Sequence, residues 1–209
     1  MMCAVDIEAP HEVERDFHRA PSARMAISRM RTGVLDGAED ELAEEVPVAL
    51  EYNGVSHAVM LATPADLEEF ALGFSLSEGI VASPAECYGV EIEHAASGIT
   101  AHIDIAAGAF MRLKERRRSL AGRTGCGLCG VDSLAQVVRP LPWLAPTRAL
   151  SGPAIRRALL DARAQQPLNR ITGATHAAIW CGRDGRPRAA FEDVGRHNAL
   201  DKLIGGLHL

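Results

Sequence analysis

The chain has 209 residues, 47% hydrophobic, 23% charged and only 4% aromatic, with a formal net charge of −5. This is an ordinary globular balance for one domain with a smaller lobe, its core filled by aliphatic side chains, and the acidic total excludes a non-specific nucleic-acid binder. No window approaches 18 continuous apolar residues, the N-terminus lacks the cationic start of a secretory signal, and five cysteines without a regular framework argue against a disulfide-stapled secreted protein, so no membrane segment and a cytoplasmic location are expected.

Residues 1–24 are polar and mixed and read as a tail of little structure. A small α+β part follows over 25–110. In it, 25–34 reads as an edge strand and 36–45 as an acidic loop. Val46–Tyr52 reads as a strand, Asn53-Gly54 as a hairpin turn, and Val55–Ala62 as the returning strand. Thr63 is the expected N-cap of a helix with Pro64 and Asp66 in its first turn. Leu67, Phe70, Ala71 and Phe74 share its apolar face, and Gly79 ends it. Residues 90–92 and 99–105 form a second expected strand pair around Ser97-Gly98.

The second part is expected over 111–209. It opens on 112–118, the densest cationic run in the chain. Residues 131–138 read as a short helix or strand, and Pro140, Pro142 and Pro146 as a stiff connector. Ser151 caps an expected helix running to about Gln166, with Ile155, Leu159, Leu160 and Ala162 as its buried stripe. Residues 175–181 read as a buried strand, Gly182-Arg183-Asp184-Gly185 as a turn, 188–192 as a returning strand, and 193–203 as a helix. This alternation suggests a layered α/β domain. Asp201 and Lys202 read as a solvated helix face, Trp143 and Trp180 as core or lid, and Cys87 and Cys181 as buried neutral thiols.

The chemistry concentrates in the loop 122–130, which contains Arg123-Thr124-Gly125-Cys126-Gly127-Leu128-Cys129-Gly130. Glycine flanks both cysteines, so a mobile loop that presents two thiols is expected. The preceding cations favour the thiolate, the reactive form. Two readings stand side by side: redox or sulfur chemistry, and one half of a zinc site. No second CxxC is present, so further zinc ligands would have to be scattered. A zinc deaminase would need His-x-Glu and Pro-Cys-x-x-Cys, whereas His102-Ile103-Asp104 and Gly125 stand here. A thioredoxin-like dithiol oxidoreductase would open a helix with its CxxC directly after a strand.

Thr172, Gly173, Thr175 and His176 precede the expected buried strand, and Glu192, Asp193, Arg196 and His197 sit at a strand-to-helix junction. Such junctions line ligand crevices in open α/β sheets. Helix-start capping is the competing role for Glu192 and Asp193, and a hydrogen-bonded structural role for His176.

Taken together, these segments resemble the FdhD family (FdhD/NarQ) of formate dehydrogenase accessory sulfurtransferases. The resemblance runs through Glu45-Val46-Pro47-Val48, Met60-Leu61-Ala62-Thr63-Pro64-Ala65-Asp66-Leu67-Glu68 and Leu72-Gly73-Phe74-Ser75-Leu76-Ser77-Glu78-Gly79-Ile80. It continues through Gly125-Cys126-Gly127-Leu128-Cys129-Gly130, the 172–176 segment and Phe191-Glu192-Asp193-Val194-Gly195-Arg196-His197-Asn198. It implies a cytidine-deaminase-like three-layer α/β core with a smaller N-terminal α+β part, assembled as a homodimer. It implies a persulfide received from a cysteine desulfurase, carried by Cys126 with Cys129 as the shuttling or releasing neighbour. The sulfur would pass to the molybdenum cofactor, bis-molybdopterin guanine dinucleotide, held as a bound substrate, and the cofactor would enter formate dehydrogenase. On this resemblance Thr172, Gly173, Thr175, His176, Glu192, Asp193, Arg196 and His197 would bind cofactor, with no permanently bound metal and no nucleic-acid or membrane partner. It also implies residues past the Asp201-Lys202 helix, so a nucleotide-binding surface shortened at Leu209 is expected.

Overall fold

The computed structural model describes residues 20–120, 143 and 149–209. The first elements are β1 (Ser22–Arg31) and β2 (Val34–Ala43), an antiparallel ribbon in register from Ser22↔Ala43 to Arg31↔Val34. Thr32 and Gly33 make the turn with φ of 49° and 83°, left-handed values that glycine accepts readily. The ribbon corrects two expectations: the tail gives way to strand at Ser22, and most of the acidic loop is strand. Cross-strand pairing explains the second, with Arg24 2.8 Å from Glu39 and Arg29 3.4 Å from Asp40.

A second hairpin, β3 (Val46–Tyr52) and β4 (Val55–Ala62), turns at Asn53-Gly54 as expected, again with both φ positive. The Asn53 side chain donates to the Ile105 carbonyl at 2.9 Å and accepts from the Ile105 amide at 2.8 Å, which pins the turn to a neighbouring strand. That strand is β6 (Gly98–Ile105), which pairs parallel with β3 and antiparallel with β5 (Cys87–Ala95). The sheet order is β4-β3-β6-β5.

Period-two alternation aims Val46, Val48, Leu50 and Tyr52 of β3, and Ile99, Ala101, Ile103 and Ile105 of β6, at one buried face. Burial pushes the Tyr52 phenol far above its ordinary pKa, and its hydroxyl shares a 2.9 Å hydrogen bond with Ser75. Two helices cover this face: α1 (Leu67–Ser77), with Leu67, Phe70, Ala71 and Phe74, and α2 (Ala107–Leu120), with Ala109 and Leu113. Position 111, where the second part was expected to begin, lies inside α2. The opposite face of the sheet is half solvated. On it His102 bridges Glu51 (3.2 Å) and Glu93 (2.9 Å).

The C-terminal part contains α3 (Gly152–Ala162), α4 (Pro167–Thr172), an antiparallel pair β7 (His176–Cys181) and β8 (Pro187–Asp193), and α5 (Arg196–Gly206). Ser151 caps α3 as expected, accepting from the Ala154 amide at 3.3 Å. The expected stripe on α3 is not buried: Ile155, Leu159 and Leu160 are all exposed. The 175–181 strand is half buried rather than buried, because β8 is its only paired neighbour among the described residues. Trp143 and Trp180 are exposed and belong to no core. Cys87 and Cys181 are half buried, and burial raises the Cys87 pKa.

The two parts meet where α1 crosses α5, giving a sheet–helix–helix–ribbon stack. The crossing is close because both helices put glycine at the contact. A Cβ on Gly73 would strike the Asp201 carbonyl, and one on Gly205 the Glu69 carbonyl. The result is a mixed α/β protein. No helix among the described residues is long and apolar enough to cross a membrane.

Gly73→Ala should force the helices apart and destabilise the protein by about 1–3 kcal/mol or more. Gly108→Ala should be neutral or stabilising, since its Cβ would meet only the Arg112 side chain at 3.6 Å. Urea unfolding of both variants checks this, and equal stability would show that the crossing can relax. The pKa of His102 is raised, chiefly by its hydrogen bond to Glu93 and further by Glu51. Its pairing therefore adds stability below the ordinary histidine range, which is lost as pH rises through the raised folded value. The stability difference between the parent and His102→Gln should shrink on going from mildly acid to alkaline pH, and a pH-independent difference would contradict it.

Candidate functional site

The junction between β8 and α5 carries Glu192, Asp193, Arg196 and His197. Its centre is buried: Asp193 and Lys202 are both 0% exposed and their charged atoms lie 2.8 Å apart. A buried ion pair stabilises a fold only when its remaining hydrogen-bonding capacity is also met. Here it is met in full. Lys202 Nζ has three protons, and it reaches Asp193 Oδ2, the Thr63 carbonyl (3.1 Å) and the Glu192 carbonyl (3.2 Å). Asp193 Oδ2 also accepts from the Thr63 amide at 3.0 Å. Its Oδ1 accepts from the Gly195 amide at 2.7 Å and from Asn198 Nδ2 at 3.1 Å.

Thr63 is therefore not a helix cap. Its amide and carbonyl bind Asp193 and Lys202, and its hydroxyl accepts from the Val194 amide at 3.1 Å. With all three groups committed to the other half of the molecule, the helix begins later. Asp66 is the residue before α1, in left-handed conformation (φ 53°, ψ 43°). Partial burial raises its carboxyl pKa. Asn198 donates in addition to the Leu61 carbonyl at 2.8 Å, so the β4–α1 connector is held at two points. The expected start of the last helix at residue 193 is likewise corrected: Asp193 ends β8, and α5 begins at Arg196.

Glu192 does cap a helix, but a different one from that expected. Its two oxygens accept from the amides of Leu168 (2.9 Å) and Asn169 (2.7 Å) at the start of α4, and from the Thr175 hydroxyl (3.0 Å). Thr172 turns its hydroxyl back to the Leu168 carbonyl, and Gly173 ends α4 at φ 66°. Among the sequence candidates, His176, Arg196 and His197 stay exposed. The register pair His176↔Asp193 places His176 at the same end of the ribbon as the N-terminus of α5. A cavity of about 530 Å³ lies beside α4, and its wall includes Asp66, Gln165, Leu168, Arg188 and Glu192.

Sequence reading missed Lys202 and Asn198. Lys202 was expected on a solvated face, yet it shares a stripe with Asn198, Ala199 and Leu203, all buried. That spacing was the available signal. Asp201 beside it is half buried rather than solvated: it accepts from the Ser77 hydroxyl at 2.7 Å, and its pKa is raised by burial.

Cys126 and Cys129, with the whole 122–130 loop, lie outside the described residues, as do residues 131–138 and the three connector prolines. The element that leads to them is described. The 112–118 run lies on α2, and its start is anchored: Arg112 binds both Glu86 oxygens (3.1 and 2.8 Å), and Lys114 sits 4.1 Å above the Phe110 ring. The Glu86 pKa is lowered, first by the Ala82 amide and then by Arg112. Among the described residues, no group of three or more His, Cys, Asp or Glu side chains is placed to hold a metal.

The fold and site define a mixed α/β protein in which a core-anchored cationic helix leads, along the sequence, to a pair of thiols. Residues 43–209 match the model of the FdhD/NarQ family. The chain belongs to that family. It is 54% identical to the sulfur carrier protein FdhD of Cupriavidus necator over 99% of this chain and 72% of that protein. It is 59% identical to the one from Variovorax paradoxus over 80% of this chain and 60% of that protein. A crystal structure from Desulfotalea psychrophila, provisionally described as a formate dehydrogenase accessory protein, superposes with a TM-score of 0.60 at 22% identity. That match covers 89% of this chain and 66% of the other, and it bears on the fold alone.

Lys202→Met should cost about 3–5 kcal/mol, because it leaves Asp193 buried and unpaired. Pairing it with Asp193→Asn should recover part of that loss through coupling of the two sites. Chemical denaturation of the two single variants and the double variant checks this. A loss below about 1 kcal/mol for Lys202→Met, the level of an exposed pair, would show that water reaches the site.

Proposed function

We propose that this protein is a sulfur carrier that serves formate dehydrogenase. The observation that carries the proposal is the family match over 43–209, which spans the Cys126/Cys129 pair. The thiolate of Cys126 attacks the outer sulfur of a cysteine desulfurase persulfide. An S–S bond forms on Cys126, the donor S–S bond breaks, and the desulfurase cysteine leaves as a thiolate. Cys129 then accepts the outer sulfur, or attacks the inner sulfur of Cys126 and releases hydrosulfide as the disulfide closes. The cations of 112–118 and Arg123 favour the attacking thiolate. Arg112 contributes little, since its charge is already matched by Glu86.

The sulfur acceptor proposed is the molybdenum of bis-molybdopterin guanine dinucleotide, bound as a substrate before its transfer to formate dehydrogenase. Exposed Arg196 and His197 in the first turn of α5, with His176 at the same end of the ribbon and Thr172 and Gly173 just before it in the chain, suit its phosphates. Glu192, Asp193 and Thr175 act there as scaffold, since their oxygens already hold α4, α5 and the β4–α1 connector. The C-terminal part is proposed to complete a cytidine-deaminase-like core, and the working unit a cytoplasmic homodimer.

Intact mass after incubation with a cysteine desulfurase and cysteine tests the relay. The parent should gain at least one sulfur atom. Cys126→Ala should gain none on the loop, and Cys129→Ala should load but turn over poorly. Label retained in Cys126→Ala and lost in Cys129→Ala would reverse the roles. A parent chain that gains no sulfur would overturn the proposal.

A further inference from the structure

We propose that the cavity beside α4 takes a guanine base, and that the Asp66 carboxylate is the group that selects it. This deepens the cofactor reading above and rests on it, since guanine is the base of bis-molybdopterin guanine dinucleotide. The cavity lies where the two parts of the molecule meet. Pro21 at the foot of the β1–β2 ribbon, Asp66 of the β4–α1 connector, Gln165 of the α3–α4 link and Ala190 of β8 all contribute to its wall. Small-molecule sites favour such junctions, and 530 Å³ falls within their usual range of about 300–1,000 Å³. The wall is held in place from behind. Glu44 donates its amide to the Pro21 carbonyl at 2.9 Å, and the connector is pinned through Thr63 and the Leu61 carbonyl.

Most of the wall is proline, alanine and Leu168, which suits the faces of a planar ring. Its polar side chains are Asp66, Gln165, Arg188 and Glu192. Glu192 is committed to the amides of Leu168 and Asn169 and to the Thr175 hydroxyl. The Arg188 guanidinium lies beside Gly182. That leaves the Asp66 carboxylate and the Gln165 amide for a ligand. Asp66 stands where a helix cap would, yet its side chain makes no capping hydrogen bond, and its backbone holds the left-handed conformation that most residues avoid. Capping does not account for an aspartate there.

An ionised carboxylate only accepts hydrogen bonds. It therefore selects a base that carries two adjacent donors on one edge. Guanine has them, in its ring N1–H and its 2-amino group. Adenine and cytosine set an acceptor beside their amino group, and uracil flanks its one N–H with two carbonyls, so each would turn a lone pair towards the carboxylate. The Gln165 amide can donate to the guanine 6-carbonyl. In the chain, Arg196 follows Glu192 of the wall by four positions, at most about 14 Å. A base in the cavity thus leaves its phosphates within reach of the first turn of α5.

Titration of the full chain with GDP, IDP and XDP, followed by saturation-transfer NMR, tests the proposal. GDP should bind about tenfold or more tightly than IDP, which lacks the 2-amino group. XDP should bind more weakly still, because its 2-carbonyl faces the carboxylate. Asp66→Asn should reverse the order of GDP and XDP, since its amide donates to that carbonyl. Asparagine accepts the left-handed backbone, so this variant should fold. Ala164→Trp, at an exposed position of the wall, should fill the cavity and weaken GDP about tenfold or more. Glu68→Gln, an exposed carboxylate outside the wall, should bind all three nucleotides as the parent does. If Asp66→Asn keeps the parental order, or loses GDP without gaining XDP, Asp66 does not select the base and the inference fails. If Ala164→Trp binds GDP like the parent, the nucleotide sits elsewhere and the inference fails too. A parent that loads sulfur on Cys126 but binds no GDP overturns the inference and leaves the sulfur relay standing. A parent that prefers GDP but takes up no sulfur overturns the relay and leaves the cavity assignment standing.

Discussion

The pair formed by Asp193 and Lys202 is the contact on which the two halves of this protein depend. A carboxylate and an ammonium with no solvent exposure would ordinarily be a liability. They are tolerated because every proton of Lys202 has an acceptor and both oxygens of Asp193 have two donors. Those partners come from β8, from α5 and from the β4–α1 connector. The ion pair therefore does more than join two side chains. It sets the position of Thr63, and through it the point at which α1 begins.

Around this pair the close crossing of α1 and α5 follows. Gly73 and Gly205 let the helix backbones touch, and the Ser77–Asp201 hydrogen bond lies alongside. Each helix is then free to cover its own strands, α1 the four-stranded sheet and α5 the β7–β8 ribbon. Glu192, next to Asp193, performs the equivalent task for α4. Two adjacent carboxylates thus fix two helix starts, and this leaves the exposed Arg196, His197 and His176 as the groups available to a ligand at that junction.

The thiol segment follows α2 in the chain. α2 is anchored by Ala109 and Leu113 in the core and by Arg112 on Glu86, and its sequence continues into the loop with Cys126 and Cys129. The helix gives that segment an anchored start.

By itself the sequence determined the local elements and the family. The Asn53-Gly54 turn, the strands on either side, the Ser151 cap and the Gly79 stop all follow from backbone preferences acting over a few residues. The CxxC loop and the Phe191–Asn198 motif were legible because their residue types are unusual at that spacing. The tertiary structure alone decided the rest. Whether Thr63 caps a helix or binds Asp193, and whether Lys202 faces water or the core, depends on groups more than a hundred residues away in sequence for Thr63 and on the packing of α5 for Lys202. Most of the acidic 36–45 stretch became strand, with Arg24 and Arg29 across the ribbon pairing Glu39 and Asp40, and the apolar stripe of α3 stayed exposed because no described element packs on it. In each case the local pattern fixes which side chains share a face, while the free energy that selects the occupant of that face comes from contacts distant in sequence.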